Sequence, residues 1–454
     1  MRMLTASVRT IVILCTVLAG GPSALAGSSG AAAKAELSFR TSAGAEAIVS
    51  VTASSPGSRW DREGAEAAIA IVYLDGHYSQ DITVDHGSAP FTYQVFLGPL
   101  SAGEHSLVVE RNDRWSAPQA PLEVQKIAVR SVSSDDPEYA AIAHSPILYA
   151  RADTLGHFSD VPLLAWYEVF LDSGGEEIQY SYVFSNEDGG TPPAALMARW
   201  GRTTDIEYAY RIWLDRDGKI RRETFQGFSH QDAPFRGSRD GEHPYILVAT
   251  PNNVFADTGA SEMQYHLLPV RADLSRHSRE ELMDRFPWTY QTMAEELKRE
   301  GKLRPFGQWS LSTVSDPRNY LYLELNSRNE NAGLNVWVKV KGSAQMYSSD
   351  GGYPQLAIWR SGWFRTTVEL PPGTEAGSIQ EIGLQCIATP ESNSGQPPAE
   401  PSQCQMQDLS KAFLLGPDYA PGAGVLEIHA PMILKPGKIY LLAPNRADAA
   451  DSPG

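Results

Sequence analysis

Between residues 67 and 110 the chain alternates short apolar runs with turn residues: AAIAIVYL, Asp75-Gly76, FTYQVFLG after Gly87-Ser88, and HSLVVE after Ala102-Gly103. Runs this short, rich in β-branched and aromatic residues and cut by Gly or Asp pairs, predict antiparallel strands joined by tight turns. The rhythm continues through VPLLAWYEVFLD, EIQYSYVFS, IEYAYRIWLD and HPYILVAT, and again through YLYLELN, LNVWVKVKG, WFRTTVELPPG, IQEIGLQCIA, VLEIHAPMIL and GKIYLLAP. One segment breaks it. SREELMDRFPWTYQTMAEELKREGK has helical spacing, with Ser278 and Glu281 set as a capping box, Pro287 interrupting and Gly301 after the last periodic residue. Two short helices meeting at the proline are expected near 278–300.

The fold class read from this pattern is mainly β, in three domains. Residues 27–132 are expected to form an immunoglobulin-like β-sandwich, on strand rhythm alone, because no Cys–Trp–Cys pattern is present. SSDDPE (133–138) has the composition of a linker. A middle β-rich domain with the short helical segment spans 133–305, a C-terminal β-sandwich 306–446, and a polar tail 447–454. No internal repeat of solenoid or propeller length is visible.

The N-terminus places Arg2 and Arg9 before the apolar run IVILCTVLAG, followed by Ala24 and Ala26 in a small-x-small pattern. This predicts a signal peptide at 1–26 and a secreted or periplasmic product. No later run is long and apolar enough to span a bilayer, so no transmembrane segment is expected in the mature chain. In an oxidising compartment Cys386 and Cys404, which flank a polar loop, are expected to form a disulfide. Lys and Arg number 38 against 54 Asp and Glu, a formal charge of −16. That balance argues against nucleic acid or an anionic membrane as the partner.

Candidate chemistry concentrates in WGRTTDIEYAYRIWLDRDG (200–218). In a strand, Asp205 and Glu207 point to one face with Ala209, and Ile206, Tyr208 and Tyr210 to the other. Paired carboxylate oxygens suit a hard cation, and Glu187 and Asp188 close an upstream strand. LDRDGK (214–219) resembles part of a calcium loop, but its acidic positions are out of register, so a hairpin turn is expected. No HExxH, GxSxG or P-loop is present.

The heptapeptide G-R-T-T-D-I-E (201–207) is similar to the G-H-R-H-D-W-E motif of the necrosis-inducing cytolysins, echoed as D-W-E in a vacuolar-sorting-type family, in which HPYILVATPNN (243–253) also has a counterpart. The resemblance implies a β-sandwich that binds sphingolipid glycans, with Asp188, Asp205 and Glu207 as ligands of a divalent cation, Ca or Mg. Arg202 and Thr204 stand where that family has its histidines, and Ile206 replaces its Trp. Three readings stay open: a retained cation, Arg202 serving as countercharge to the carboxylates, or an ordinary exposed acidic edge.

Trp166, Tyr167, Trp200 and His243, with Trp213, Trp288 and Tyr290, give the middle region its aromatic weight. Aromatic faces beside acids bind sugar rings, and aromatics within strands also fill cores. The function expected is an exported protein that binds an extracellular glycan or glycolipid through its middle domain, with Trp166, Tyr167, Trp200 and His243 as ligand contacts. The alternatives are a secreted hydrolase using an acidic pair drawn from Glu168, Glu187, Asp188, Asp205 and Glu207, and a structural envelope protein.

Overall fold

The computed structural model describes residues 32–41, 45–388 and 402–443. The signal read at 1–26, the tail at 447–454 and most of the loop between the cysteines lie outside the described residues. The molecule is mainly β, as the pattern predicts, and divides into two compact units, Met1–Gly190 with Thr204–Ala272 and Thr191–Thr203 with Asp273–Gly454. Among the described residues no helix is long and apolar enough to cross a membrane.

The first unit opens with two sheets. One runs Lys34–Thr41, Gly103–Arg111, Ala68–Leu74, His77–Val84, and the other Phe91–Leu100, Ala45–Ser54, Glu123–Val132. Alternate residues such as Leu37 and Phe39, Val49 and Val51, and Leu107 and Val109 share a buried core. Asp75 and Gly76 both take positive φ, 51° and 78°, the turn geometry that matches the twist of adjacent strands.

This core does not stop where 133–138 was expected to act as a linker. The same apolar cluster continues through Ala141, Leu148, Tyr180, Tyr210 and Phe255 to Tyr265, so residue 133 lies inside the unit. The buried His243 fastens it: Nε2 lies 3.2 Å from Glu46 Oε2, Nδ1 lies 2.8 Å from Ser145 O, and the ring stacks on Phe96 at 4.4 Å. The helices expected to close the middle domain belong to the second unit.

The rest of the first unit is a six-stranded sheet and a smaller one. The large sheet runs Gln231–Pro234, Ile220–Gly227, Asp205–Asp215, Gly175–Phe184, Pro162–Asp172, Val270–Arg271. In the small sheet His243–Val248 pairs in parallel with Ile147–Tyr149, which brings together loops about a hundred residues apart in sequence. Against Gly175–Phe184, strand Asp205–Asp215 carries a bulge: Tyr180 opposes Tyr210 and Ser181 opposes Tyr208, leaving Ala209 as the extra residue. The inserted residue changes parity. Tyr210, Ile212 and Leu214 therefore join the core, and the expected grouping of Tyr210 with Ile206 and Tyr208 does not hold. LDRDGK forms the expected hairpin turn, with Asp215 Oδ1 accepting the amides of Asp217 and Lys219, both at 2.9 Å.

The second unit is a sandwich of two four-stranded sheets. One runs Gly362–Glu369, Tyr320–Glu330, Gln403–Leu414, Met432–Leu434, and the other Met346–Ser348, Ala332–Val340, Ile379–Ala388, Ile439–Leu442. Cys386 and Cys404 are disulfide-bonded, with Cα atoms 5.6 Å apart, and since each sits on a different sheet the bond stitches the sandwich together. Helices Glu281–Arg285 and Trp288–Arg299 meet at Pro287 as expected. Trp288–Arg299 ends in a Schellman arrangement, with Gly301 at φ 66° and the Lys302 amide reaching Leu297 O at 2.8 Å. The expected capping box does not form. Ser278 turns its amide and hydroxyl to Glu324 Oε2 instead, at 3.1 and 2.9 Å.

A further helix, Pro193–Trp200, starts with Pro in its first turn and stops at Gly201, which has φ 65°. Its last carbonyls are satisfied by the sheet, Thr366 Oγ1 donating to Ala198 O at 2.6 Å and Thr367 Oγ1 to Met197 O at 2.8 Å. A Cβ on Gly201 would fall 2.5 Å from Arg365 Cγ, so the first residue of the G-x-x-x-D-x-E motif is fixed by a helix end and a close approach.

Candidate functional site

Asp205 and Glu207 begin their strand at one end of the large sheet, where four loops of the first unit converge. Asn253, on the loop after His243–Val248, is fully buried, and its Nδ2 donates to Asp205 Oδ2 at 3.0 Å, Asp160 Oδ1 at 3.3 Å and Asn186 O at 3.4 Å. Arg151 spreads its guanidinium over three acids, with Nη1 2.8 Å from Asp160, Nε 2.7 Å from Asp153 and Nη2 3.1 Å from Asp188. Asp188 also accepts from Ser159 Oγ at 2.5 Å and Asn186 Nδ2 at 2.8 Å. Glu207 accepts from Gln226 Nε2 at 2.7 Å and lies 3.4 Å from His230 Nδ1, and Asn252 Nδ2 lies 2.9 Å from the other His230 nitrogen.

The backbone under this cluster is strained. Of the eight non-glycine residues at positive φ among the described residues, five belong to these loops: Phe158, Asp160, Ser229, His230 and Asn253. Such conformations cost of order 1 kcal/mol or more each and persist where surrounding contacts enforce them. Two buried side-chain atoms here, Asn253 Oδ1 and Gln226 Oε1, have no hydrogen-bond partner. Asp160 also borders a cavity of about 20 Å³, large enough for one water. Two residues from His230, Phe228 is 81% exposed.

Two neighbouring carboxyls are driven apart in acidity. Burial, then the Asp188 charge, pushes Asp160 up to about 9 against the pull of Arg151. Burial also acts to raise Asp188, but hydrogen bonds from Ser159, Asp160 and Arg151 outweigh it and hold that carboxyl below its usual range. Asp160 is thus protonated at neutral pH and donates to an ionised Asp188. His230 is raised, first by its hydrogen bond to Glu207.

The ligand contacts expected from aromatic weight fall elsewhere. Trp166 and Tyr167 are 0% and 3% exposed, and His243 is 0% exposed in its link to Glu46, so all three act as core. Trp200 is partly exposed and belongs to the second unit, with Arg360 over its ring at 5.0 Å. Glu168 is buried beside Gln179, which donates to it at 3.3 Å. Arg202 is buried in the second unit, where its Nε donates to Glu280 at 3.0 Å. Arg151 and Asn253 carry no signal in the sequence, because no local spacing connects them to Asp205, and Asp160 stands out there only as an acid that could pair with a scattered histidine.

Among the described residues the one trio of His, Cys, Asp or Glu whose ligand atoms lie within 4.8 Å of one another is in the second unit: His277, Glu281 and Glu324. Its carboxylates are already engaged. Arg365 Nη2 lies 3.3 Å from Glu324 and 2.8 Å from Asp284, while Lys411 Nζ is 3.0 Å from Asp284 and in contact with Glu281. Ser410 and Ser278 also donate to Glu324. Burial opposes ionisation of Glu324, but Arg365, Ser410, His277 and Lys411 bring it down to about 2. A cation would have to displace two resident ones.

No family model matches the chain, and no curated protein does. Among solved structures, the C-terminal domain of EclA, titled a sugar-binding protein, is 14% identical over 25% of this chain and 82% of its own, with TM-score 0.17. NLPPya in complex with mannosamine is 14% identical over 29% of this chain and 70% of its own, TM-score 0.21. The C-terminal CBM6 of LamC from Zobellia galactanivorans is 10% identical over 21% and 71%, TM-score 0.16. Likenesses at this level establish neither fold nor ligand.

Proposed function

We propose that the protein is an exported glycan-binding protein whose ligand, a free glycan or a glycolipid headgroup, docks at the loop end of the first unit. The observation that carries this reading is the concentration of strained backbone and partnerless buried polar atoms around Asp188, Asn253 and Glu207, beside the exposed ring of Phe228. A sugar presents many hydroxyls that both donate and accept, together with an apolar C–H face. Ionised carboxylates, amides and a histidine match the hydroxyls, and an exposed aromatic ring matches the C–H face. The acidic balance of the chain disfavours phosphate-rich partners for the same surface.

The cation that the cytolysin resemblance implies is not required by the donor set. Asn253 Nδ2 stands among the oxygens of Asp205, Asp160 and Asn186, Arg151 neutralises Asp188, and His230 faces Glu207. These nitrogens supply the positive partners that Ca or Mg would otherwise supply. Binding in this reading is independent of chelator.

A glycan array probed with the mature chain, repeated with Asp188→Ala and Phe228→Ala in buffer containing a chelator, tests the proposal. Wild type is expected to retain a restricted set of glycans, and each variant to lose at least about tenfold in affinity while melting normally. Retention of nothing, or identical profiles for all three proteins, would overturn it.

A further inference from the structure

The second unit carries a cationic, aromatic patch that the site in the first unit does not use. Helix Pro193–Trp200 ends in Arg199 and Trp200. Arg360 lies over the Trp200 ring at 5.0 Å and the Phe364 ring at 5.6 Å, and donates Nη2 to Arg199 O at 2.5 Å. Arg199 donates Nη2 to Gln355 O at 2.5 Å, and its Nε is buried without an acceptor. Among the described residues neither Arg199 nor Arg360 has a carboxylate within ion-pair distance, although acids outnumber bases 54 to 38 in this chain. Burial, opposed by Glu280 and reinforced by the charges of Arg202, Arg279 and Arg199, lowers Arg360 to about 10. A guanidinium held partly desolvated among like charges is costly, and a bound anion would relieve it.

Aromatic surface adjoins the same helix end. Trp309 stacks on Tyr353 at 4.0 Å with 16° between planes, and Tyr353 is 41% exposed. The Trp309 indole lies so close to Gly351 that a Cβ there would fall 2.0 Å from Nε1, which fixes the ring and with it the stacked tyrosine. Ala195, Ala198 and Leu356 pack together with Trp309 against this helix, and Gln355, which accepts from Arg199, is two residues from Tyr353. A ring platform and two guanidiniums without a carboxylate partner thus flank one helix end. Guanidiniums paired only with carbonyls and rings call for an anion, and a braced, half-exposed tyrosine calls for a flat apolar face. A sugar ring bearing a negative group presents both.

We propose that Arg199, Arg360, Trp200 and Tyr353 form a second carbohydrate site that takes an anionic sugar, its carboxylate or sulfate on the arginines and its ring face on Tyr353. The site is contained in the second unit and does not depend on the reading given for the first.

Titration calorimetry of the full mature chain with trigalacturonate, a sulfated disaccharide and neutral cellotriose tests it. Either anionic sugar, but not cellotriose, is expected to bind, and the one that binds identifies the anion. Arg199→Gln and Tyr353→Ala, both at partly exposed positions, are each expected to weaken that binding about tenfold or more, and higher salt to weaken it further. Asp188→Ala is expected to leave it unchanged. Absence of binding by both anionic sugars, equal binding of cellotriose, or full affinity in both patch variants would overturn the proposal.

Discussion

Each unit holds a cluster of acids around a buried arginine, and the two are built for different ends. In the second unit Arg365 and Lys411 sit beside Glu324 on adjacent strands, with Asp284 and Glu281 supplied by a helix, and no residue of the cluster has a left-handed backbone. Charges there are matched at close range, and Arg365 Nε is the one side-chain atom of the five left buried without a partner. In the first unit Arg151 serves acids carried by loops, the backbone is strained at Asp160 and Asn253, and polar atoms stay unpaired. One arrangement fastens a helix to a sheet. The other leaves strained backbone and unpaired polar atoms beneath the partly exposed Asp188 and His230, which suits the proposed ligand site better than a fastening.

The largest effect that separates them is removal of the central arginine of the second unit. Arg365 is 0% exposed, and Arg365→Met leaves the buried Glu324 and Asp284 short of a countercharge. Breaking a buried pair in this way costs roughly 3 to 5 kcal/mol. Calorimetry of the variant should show the transition of the second unit falling sharply while glycan binding in the first persists below it. A loss under about 1 kcal/mol would mean that this cluster is not a fastening, and the contrast fails.

The sequence makes the repeating parts of this fold legible and hides the meeting points. Strand rhythm between 67 and 110 and the helices split at Pro287 depend on residues a few positions apart, so they show in the pattern. Asp205 and Glu207 are visible as an i, i+2 pair for the same reason. Arg151, Asp160 and Asn253 reach that pair only through the parallel pairing of His243–Val248 with Ile147–Tyr149, which no local period encodes. Helix Pro193–Trp200 is marked by Pro193 near its start and Gly201 at its end, a signal carried by single residues and not by an apolar period. For Trp166 and Tyr167 the composition is the same whether a strand aromatic packs or binds, and their burial decides for packing.

A smaller effect probes the acidity contrast in the first unit. Because the folded pKa of Asp160 is raised to about 9, the native state holds a proton that the unfolded state releases near the ordinary carboxyl value. Stability from this source is therefore full at acidic pH and declines as pH rises toward about 9. Asp160→Asn mimics the protonated form. It should change stability at neutral pH by no more than about 1 kcal/mol and flatten the decline of melting temperature between neutral and alkaline pH. An unchanged alkaline slope would show that Asp160 is not the group that titrates.

The smallest expected effect on stability carries the most information about purpose. His230 has a side chain 45% exposed in its pair with Glu207, and exposed pairs contribute within a few tenths of a kcal/mol. If the pair only decorated the surface, His230→Gln would be silent in every assay. If it presents Glu207 to a glycan, the substitution removes a charge whose folded pKa is raised by that contact. Affinity in wild type should then change as pH rises through the pKa of His230 while the melting temperature barely moves, and His230→Gln should abolish that dependence. Equal pH profiles for wild type and variant, with equal affinities, would reduce the pair to an ordinary surface contact and leave Asp188 and Phe228 to account for recognition.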